Sequence, residues 1–307
     1  MRAFTLDSFG SAPRFRDDLE LPNIGASDLL VRVHTSSVNG ADAAIAAGAL
    51  EGMVEHEFPV TLGRDYAGVV EEVGSAAGRY SVGDEVYGFL MHANPTVRDG
   101  SWADYLVVSE DVSIGPKPAG VDFGTAGAAS LGGITALAAI DALELAEGDT
   151  VLVVGATGGV GSFFVQLAAA RGAIVIAPAL PEDRDYLRGL GVSEIIDRDA
   201  DAAEQVRGFL PDGVDALLDV VSFAPDASVL KRDGRVASSL GAAGDGPGRT
   251  NLMASPSTSN LERLGTLLEA DDLRVVIRNT YQLEEAGEAL DALQNEHTQG
   301  KLAIQIV

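Results

Sequence analysis

Residues 150–171, TVLVVGATGGVGSFFVQLAAAR, decide the reading of this chain. The uninterrupted apolar run at its start has the pattern of a strand buried on both faces. It ends at Gly155, and a helical pattern follows over 162–171. Between them lie Ala156, Thr157, Gly158, Gly159, Val160 and Gly161, with small residues at 156, 158 and 161. A chain that must turn sharply, let its backbone approach a pyrophosphate and pack a helix closely on its own strand needs small residues at those three points. The first N–H groups of the helix have no partner within it, and they turn partial positive charge toward the phosphates. The stretch therefore predicts a dinucleotide-binding loop. The next strand, AIVIA over 173–177, supplies the strand–helix–strand context that a glycine cluster alone lacks.

That second strand carries the choice between the two nicotinamide dinucleotides. An NAD site places an acid about 20 residues beyond the loop, where it grips the ribose 2′-hydroxyl. Here the chain runs AIVIAPALPEDRDY, with no acid at Ala177, Pro178, Ala179 or Leu180 and the first at Glu182. The gap leaves room for the 2′-phosphate of NADP(H), with NAD(H) the less favoured cofactor. Arg184 either pairs with that phosphate or stands in solvent as an ordinary helix charge.

Outward toward the C-terminus the alternation continues. Helical patterns at 182–190 and 202–210 separate strands at 194–197 and 214–221, and RVASSLG (235–241) and RVVIRNT (274–280) read as two more strands. Apolar strands alternating with helices predict an α/β doubly wound parallel sheet covered on both faces. Leu240 and Gly241 follow a strand of that sheet at its C-terminal end, where such sheets bind ligands; they read equally as part of a flexible glycine-rich loop. Toward the N-terminus the pattern changes near residue 120. Short β segments punctuated by glycine (29–38, 60–61, 83–89, 102–109) predict a β-rich barrel or sandwich, with a short helix over 39–48. The tail reads as a helix followed by the strand KLAIQIV.

Composition removes several function classes. At 307 residues the chain suits two domains. A net charge of −25 repels phosphate backbones and anionic bilayers, which argues against nucleic-acid and membrane partners. There is no cysteine, so disulfides, thiolate nucleophiles and cysteine-based zinc sites are excluded together. The four histidines, His34, His56, His92 and His297, are scattered without metal-ligand spacing, and no GxSxG elbow occurs. The expected metal set is none. The N-terminus lacks the apolar core of a signal peptide and no run of 18 apolar residues is seen, so a cytoplasmic protein without a membrane span is expected.

Taken in order, the segments of the whole chain resemble the quinone oxidoreductase branch of the medium-chain dehydrogenase/reductase family. SSVNGADAAIAAG (36–48) is similar to its VNPxD segment, and GRDYAG (63–68) falls where the zinc alcohol dehydrogenases carry GHE. GDEVYGF, GSWADYLVV, GGITALAAI and HTQGKLAIQIV follow in the family's order. The resemblance implies a GroES-like catalytic domain over 1–118, a Rossmann domain over 119–281 and a return of 282–307 to the first, with the active site between the domains. It implies a zinc-independent, NADP(H)-dependent oxidoreductase that reduces a small-molecule quinone or α,β-unsaturated carbonyl as a homodimer. The alternatives are an enoyl or alkenal double-bond reductase and a non-catalytic NADP(H)-binding sensor or structural protein. The RVVIRNT segment is a candidate sheet edge for pairing across a two-fold axis.

The resemblance also names site residues. Asn39 matches the asparagine facing the nicotinamide, although an Asn before Gly is equally a turn former. Arg64 stands where zinc enzymes have a histidine ligand. Arg64 is a candidate for stabilising a developing enolate, or it pairs with Asp65 as a structural ion pair. Asp42 reads as a cap of the short helix that begins there, and equally as a structural residue. Thr135 and Lys301 match positions near the cofactor; a hydroxyl at a helix N-terminus and a lysine on a strand edge are their plainer readings. Met91 and His92 are placed near the substrate by position alone. The family's proline after the asparagine is Gly40 here, and its Arg-Gly-Tyr stretch reads Ala47-Gly48-Ala49, which removes an aromatic residue from the nicotinamide side.

Overall fold

The computed structural model describes residues 1–91 and 99–307. It divides into two compact units, Met1–Leu131 with Pro256–Val307, and Gly132–Ser255. The division falls inside one long helix, Phe123–Leu143. The sequence pattern changes near residue 120, and the family resemblance implies domains over 1–118 and 119–281.

The first unit is built on antiparallel pairing. A three-stranded sheet joins Arg14–Arg16, Ala3–Leu6 and Val60–Thr61. A larger sheet centres on Asp28–Ser37, which pairs with Asp65–Val73, Tyr105–Ser109 and Lys301–Gln305. Its core gathers Trp102, Tyr66, Leu29, Val31, Val70 and Ile304, all buried. The two polar aromatic tips find partners as burial demands: Trp102 Nε1 donates to the Ser37 carbonyl at 3.2 Å and the Tyr66 hydroxyl to the Ser113 carbonyl at 2.8 Å. These contacts anchor the Ser37 end of one strand and Tyr66 of the other; the antiparallel pairing of the two strands, with Ser36 opposite Tyr66, brings together the ends that carry the polar site described below.

The second unit is a six-stranded, wholly parallel sheet. Its order is Glu194–Asp197, Ile174–Ala179, Thr150–Val154, Val214–Asp219, Leu230–Ser238, Arg249–Asn251. The order reverses at Thr150–Val154, the doubly wound arrangement in which ligands bind beyond the strands' C-terminal ends. Strand Val214–Asp219 stops two residues short of the expected end. The Asp219 carboxylate accepts the N–H groups of Val221 and Ser222 at 2.9 and 2.8 Å and turns the chain there.

One expectation is corrected. RVVIRNT does not join the parallel sheet: strand Ile277–Gln282 lies at an edge of the first unit's sheet, parallel to Lys301–Gln305. Its residues are largely exposed, whereas a place in the doubly wound sheet requires burial on both faces. The sixth position belongs to Arg249–Asn251, a segment too short to be read from pattern. Helix Phe123–Leu143 is long and apolar enough to cross a membrane by length and composition, and 78% of its apolar window is buried in the fold. Ala and Gly residues thin its side chains so that it packs as a core helix, with Gly127 against the Thr35 carbonyl.

Candidate active site

In the second unit the loop after Thr150–Val154 has the shape of a pyrophosphate cradle. Gly155 has φ +91°, a left-handed conformation that turns the chain out of the strand. A Cβ on Gly161 would lie 2.1 Å from the Gly155 carbonyl oxygen, so this glycine is required by the packing of helix Gly159–Ala170 against its own strand. Gly158 differs: a Cβ there would meet only the Gly155 oxygen, at 3.6 Å. Its missing side chain therefore leaves space outside the protein's own packing. No side chain caps the helix, so its first N–H groups are available to an anion. The residues present fit a dinucleotide. Tyr186 approaches from the next helix, its hydroxyl 3.5 Å from the Thr157 carbonyl, and burial pushes its pKa up to about 12.

The second strand ends as the sequence suggested, without an acid before Glu182. Asp183, the first buried acid, accepts the Leu180 N–H at 3.1 Å and so caps its own turn. Arg184 is exposed on the first turn of helix Arg184–Leu190 and forms no ion pair among the described residues. A second arginine was missed from sequence. Asp197 is the register partner of Ala179, and the Arg198 N–H lies 3.4 Å from the Ala179 carbonyl. Arg198, also exposed, thus leaves the sheet beside the strand end that an NAD-specific acid would occupy. Leu240 and Gly241 stand just past Leu230–Ser238, at the same C-terminal end; Leu240 N–H donates to Ser238 Oγ at 3.2 Å. Thr135 is buried in the interior of Phe123–Leu143, away from that helix's N-terminus.

In the first unit the predicted residues Asn39, Asp42, Arg64, Asp65 and Lys301 converge in one buried polar network. Asp65 Oδ2 accepts from Ser37 Oγ at 2.6 Å, Asn39 Nδ2 at 2.9 Å and Lys301 Nζ at 3.2 Å, and Oδ1 accepts the Leu131 N–H at 2.6 Å. Lys301 Nζ also donates to Asn39 Oδ1 at 2.5 Å. An ammonium only donates and a carboxylate only accepts, which fixes the Asn39 carboxamide with oxygen toward Lys301 and nitrogen toward Asp65. Lys301 is not on a strand edge: Lys301–Gln305 runs between Asp28–Ser37 and Ile277–Gln282.

Arg64 does not pair with Asp65. Its Nη2 donates to the carbonyls of Thr61 and Asp99 at 3.1 and 3.2 Å, and its Nε stands 3.9 Å from Asp42 Oδ1. Asp42 Oδ2 accepts the Asn39 N–H at 2.8 Å at the start of helix Gly40–Ala46. Burial pushes the Asp42 carboxyl up to about 6, with the Arg64 charge opposing, and burial lowers the Arg64 guanidinium from its usual range. Met91 is half-buried, and His92 lies outside the described residues.

The raised Asp42 value has a stability consequence. The folded protein holds this proton more tightly than the unfolded chain, whose ordinary value is 3.8. The resulting stabilisation is full below that value and is lost as pH rises through about 6. At 1.36 kcal/mol per unit this is on the order of 2–3 kcal/mol. Thermal denaturation from about pH 4 to pH 7 should therefore show Asp42→Asn gaining on the parent protein as pH rises. Parallel curves would assign the ionisation elsewhere.

The geometry agrees with what the chain is similar to. Residues 25–119 match the alcohol dehydrogenase GroES-like domain family, and residues 190–304 match a family described as zinc-binding dehydrogenase. An Arabidopsis thaliana chloroplastic NADPH-dependent alkenal/one oxidoreductase is 28% identical over 99% of this chain and 79% of its own length. A Spinacia oleracea chloroplastic quinone-oxidoreductase homolog is 25% identical over 94% and 92%. The quinone oxidoreductase structure from Coxiella burnetii superposes with a TM-score of 0.87 at 28% identity, covering 100% of this chain and 99% of that one. With a GroES-like match, a doubly wound dinucleotide sheet and relatives spanning its full length, the chain belongs to the medium-chain dehydrogenase/reductase family, among the quinone oxidoreductase-like members.

Proposed function

We propose that this protein is an NADPH-dependent, zinc-independent reductase of quinones and α,β-unsaturated carbonyls. The observation that carries the reading is the open Gly158 cradle followed by a strand end with no ribose-gripping acid and two exposed arginines, Arg184 and Arg198. The names of its relatives, an alkenal/one oxidoreductase and quinone oxidoreductases, support the substrate class. Zinc independence is supported by the absence of cysteine and by Arg64, which points into backbone carbonyls at the place of a zinc ligand; elemental analysis reads it directly. Homodimer formation is supported by family membership and by the exposed edge strand Ile277–Gln282, and light scattering reads the mass.

Bound at the loop, the dinucleotide supplies a hydride, and the chain supplies orientation and electrostatics. Gly155–Gly161 and the first turn of Gly159–Ala170 hold the pyrophosphate. Arg198, with Arg184 beside it, favours the 2′-phosphate. A charge-assisted hydrogen bond contributes about 1.5–3 kcal/mol, or roughly one to two decades of selectivity. Turnover of p-benzoquinone and methyl vinyl ketone with NADPH and with NADH tests the proposal. NADPH should be the more efficient cofactor on both, and Arg198→Ala should remove most of the difference. Equal efficiencies in the parent protein would refute the cofactor assignment; no turnover of either acceptor would refute the reductase reading.

A further inference from the structure

Asn39 occupies the N-cap of helix Gly40–Ala46. Asparagine is among the best N-caps because its side-chain oxygen accepts an N–H of the first turn. Here the carboxamide makes no such bond. It is turned instead into the protein, where Lys301 takes its oxygen and Asp65 its nitrogen. Both partners are buried, at 3% and 0% exposure, and lie far away in sequence. All of Lys301's donors are directed within this cluster, to Asn39 Oδ1, to Asp65 Oδ2 and, at 3.5 Å, to the Val38 carbonyl. Two of these donors are held at 2.5 and 3.2 Å, and burial at 3% exposure keeps the third, like the rest of the ammonium, away from a phosphate. The carboxamide keeps one proton loosely held: beyond its bond to Asp65, Nδ2 meets, among the described residues, only Ser37 Oγ, at 3.5 Å, the far limit of a hydrogen bond. Asn39 is half-buried, so it is the member of this trio that reaches the surface.

We propose that Lys301 and Asp65 are positioning residues for Asn39, holding its carboxamide so that the loosely held N–H donates to the carbonyl oxygen of the quinone or enone. The inference rests on the reductase reading above and moves Lys301 from cofactor contact to substrate side. The physical reason for an ammonium there is polarisation: a charged donor on the amide oxygen draws electron density from the nitrogen and strengthens its N–H as a donor. When hydride adds to the conjugated carbon, the π electrons move onto the carbonyl oxygen, and a preorganised donor at that oxygen is what lowers the barrier. A proton from solvent then completes the saturated carbonyl or the hydroquinone.

Two variants test it. Asn39→Ser removes the carboxamide at a position where serine is a favoured N-cap. It should fold with a lowered melting temperature, because Lys301 and Asp65 each lose a buried partner, and its NADPH affinity should match the parent, while kcat for methyl vinyl ketone falls at least tenfold with little change in KM. Asp65→Asn with Lys301→Met removes both buried charges together and should give the same kcat loss with unchanged NADPH affinity. Undiminished kcat in Asn39→Ser, or weakened NADPH binding with kcat retained in the double variant, overturns the proposal. If the double variant does not fold, Lys301→Arg replaces it: retained cation chemistry should preserve more kcat than Asn39→Ser. The side-chain amide resonances of Asn39 give a readout independent of turnover. They should exchange slowly with water in the parent and faster once Lys301 is replaced, and equal rates would overturn the positioning role even in a protein that reduces neither acceptor.

Discussion

Gly158→Val should yield a folded protein whose NADPH affinity is reduced at least about 100-fold. The two loop glycines separate packing from binding. A side chain at Gly161 collides with the Gly155 backbone, so substitution there disturbs the sheet and helix themselves. A side chain at Gly158 meets nothing closer than 3.6 Å within the protein, so the fold accepts it, at no more than the small cost of a poorer N-cap. The branched methyl groups instead fill the space through which a pyrophosphate must approach the first turn of Gly159–Ala170. Losing two charge-assisted hydrogen bonds there costs about 3–6 kcal/mol in binding, two to four decades. Circular dichroism and calorimetry on the same sample check the two halves. An unchanged spectrum with unchanged affinity would place the dinucleotide elsewhere.

Asp65→Ala should be the most destabilising single change in the first unit. The carboxylate collects four donors, from Ser37, Asn39, Leu131 and Lys301. Removing it strands a buried ammonium and several N–H and O–H groups at once. Breaking a buried ion pair from one side costs about 3–5 kcal/mol, a large part of a total stability of about 5–15 kcal/mol. The melting temperature should fall by on the order of 10 °C. Adding Lys301→Met to Asp65→Ala should recover a substantial part of that loss, since a buried pair replaced whole is far cheaper than one broken. A double variant no more stable than Asp65→Ala would mean that Lys301 is not what the carboxylate neutralises.

The dinucleotide loop was legible because its chemistry is local. Steric limits at Gly155 and Gly161 act within seven residues of chain, and the buried valines before them advertise their strand. Arg198 was illegible for the opposite reason. Its position beside Ala179 arises from the register of two parallel strands, which no spacing in the sequence records. The same holds for Lys301, whose family position suggested the cofactor. Its partners Asn39 and Asp65 lie 262 and 236 residues away, and only the pairing of Lys301–Gln305 with Asp28–Ser37 brings them together. Arg64 and Asp65 are neighbours in sequence, which makes an ion pair between them one of the two readings open there, but alternation along an extended chain turns consecutive side chains to opposite sides. Arg64 meets Asp42 and Asp65 meets Lys301. RVVIRNT was misassigned because a half-exposed edge strand and a short buried one differ in environment more than in composition.

The central claim is that this chain transfers hydride from NADPH to a conjugated acceptor. The most direct measurement uses NADPH deuterated at the transferable position of the nicotinamide, with methyl vinyl ketone as acceptor and mass spectrometry of the product. The prediction is one deuterium in the saturated ketone, on the carbon remote from the carbonyl, with none introduced when ordinary NADPH is used in deuterated water except at the adjacent, solvent-protonated carbon. A product without deuterium at the remote carbon, or no product at all, would contradict it.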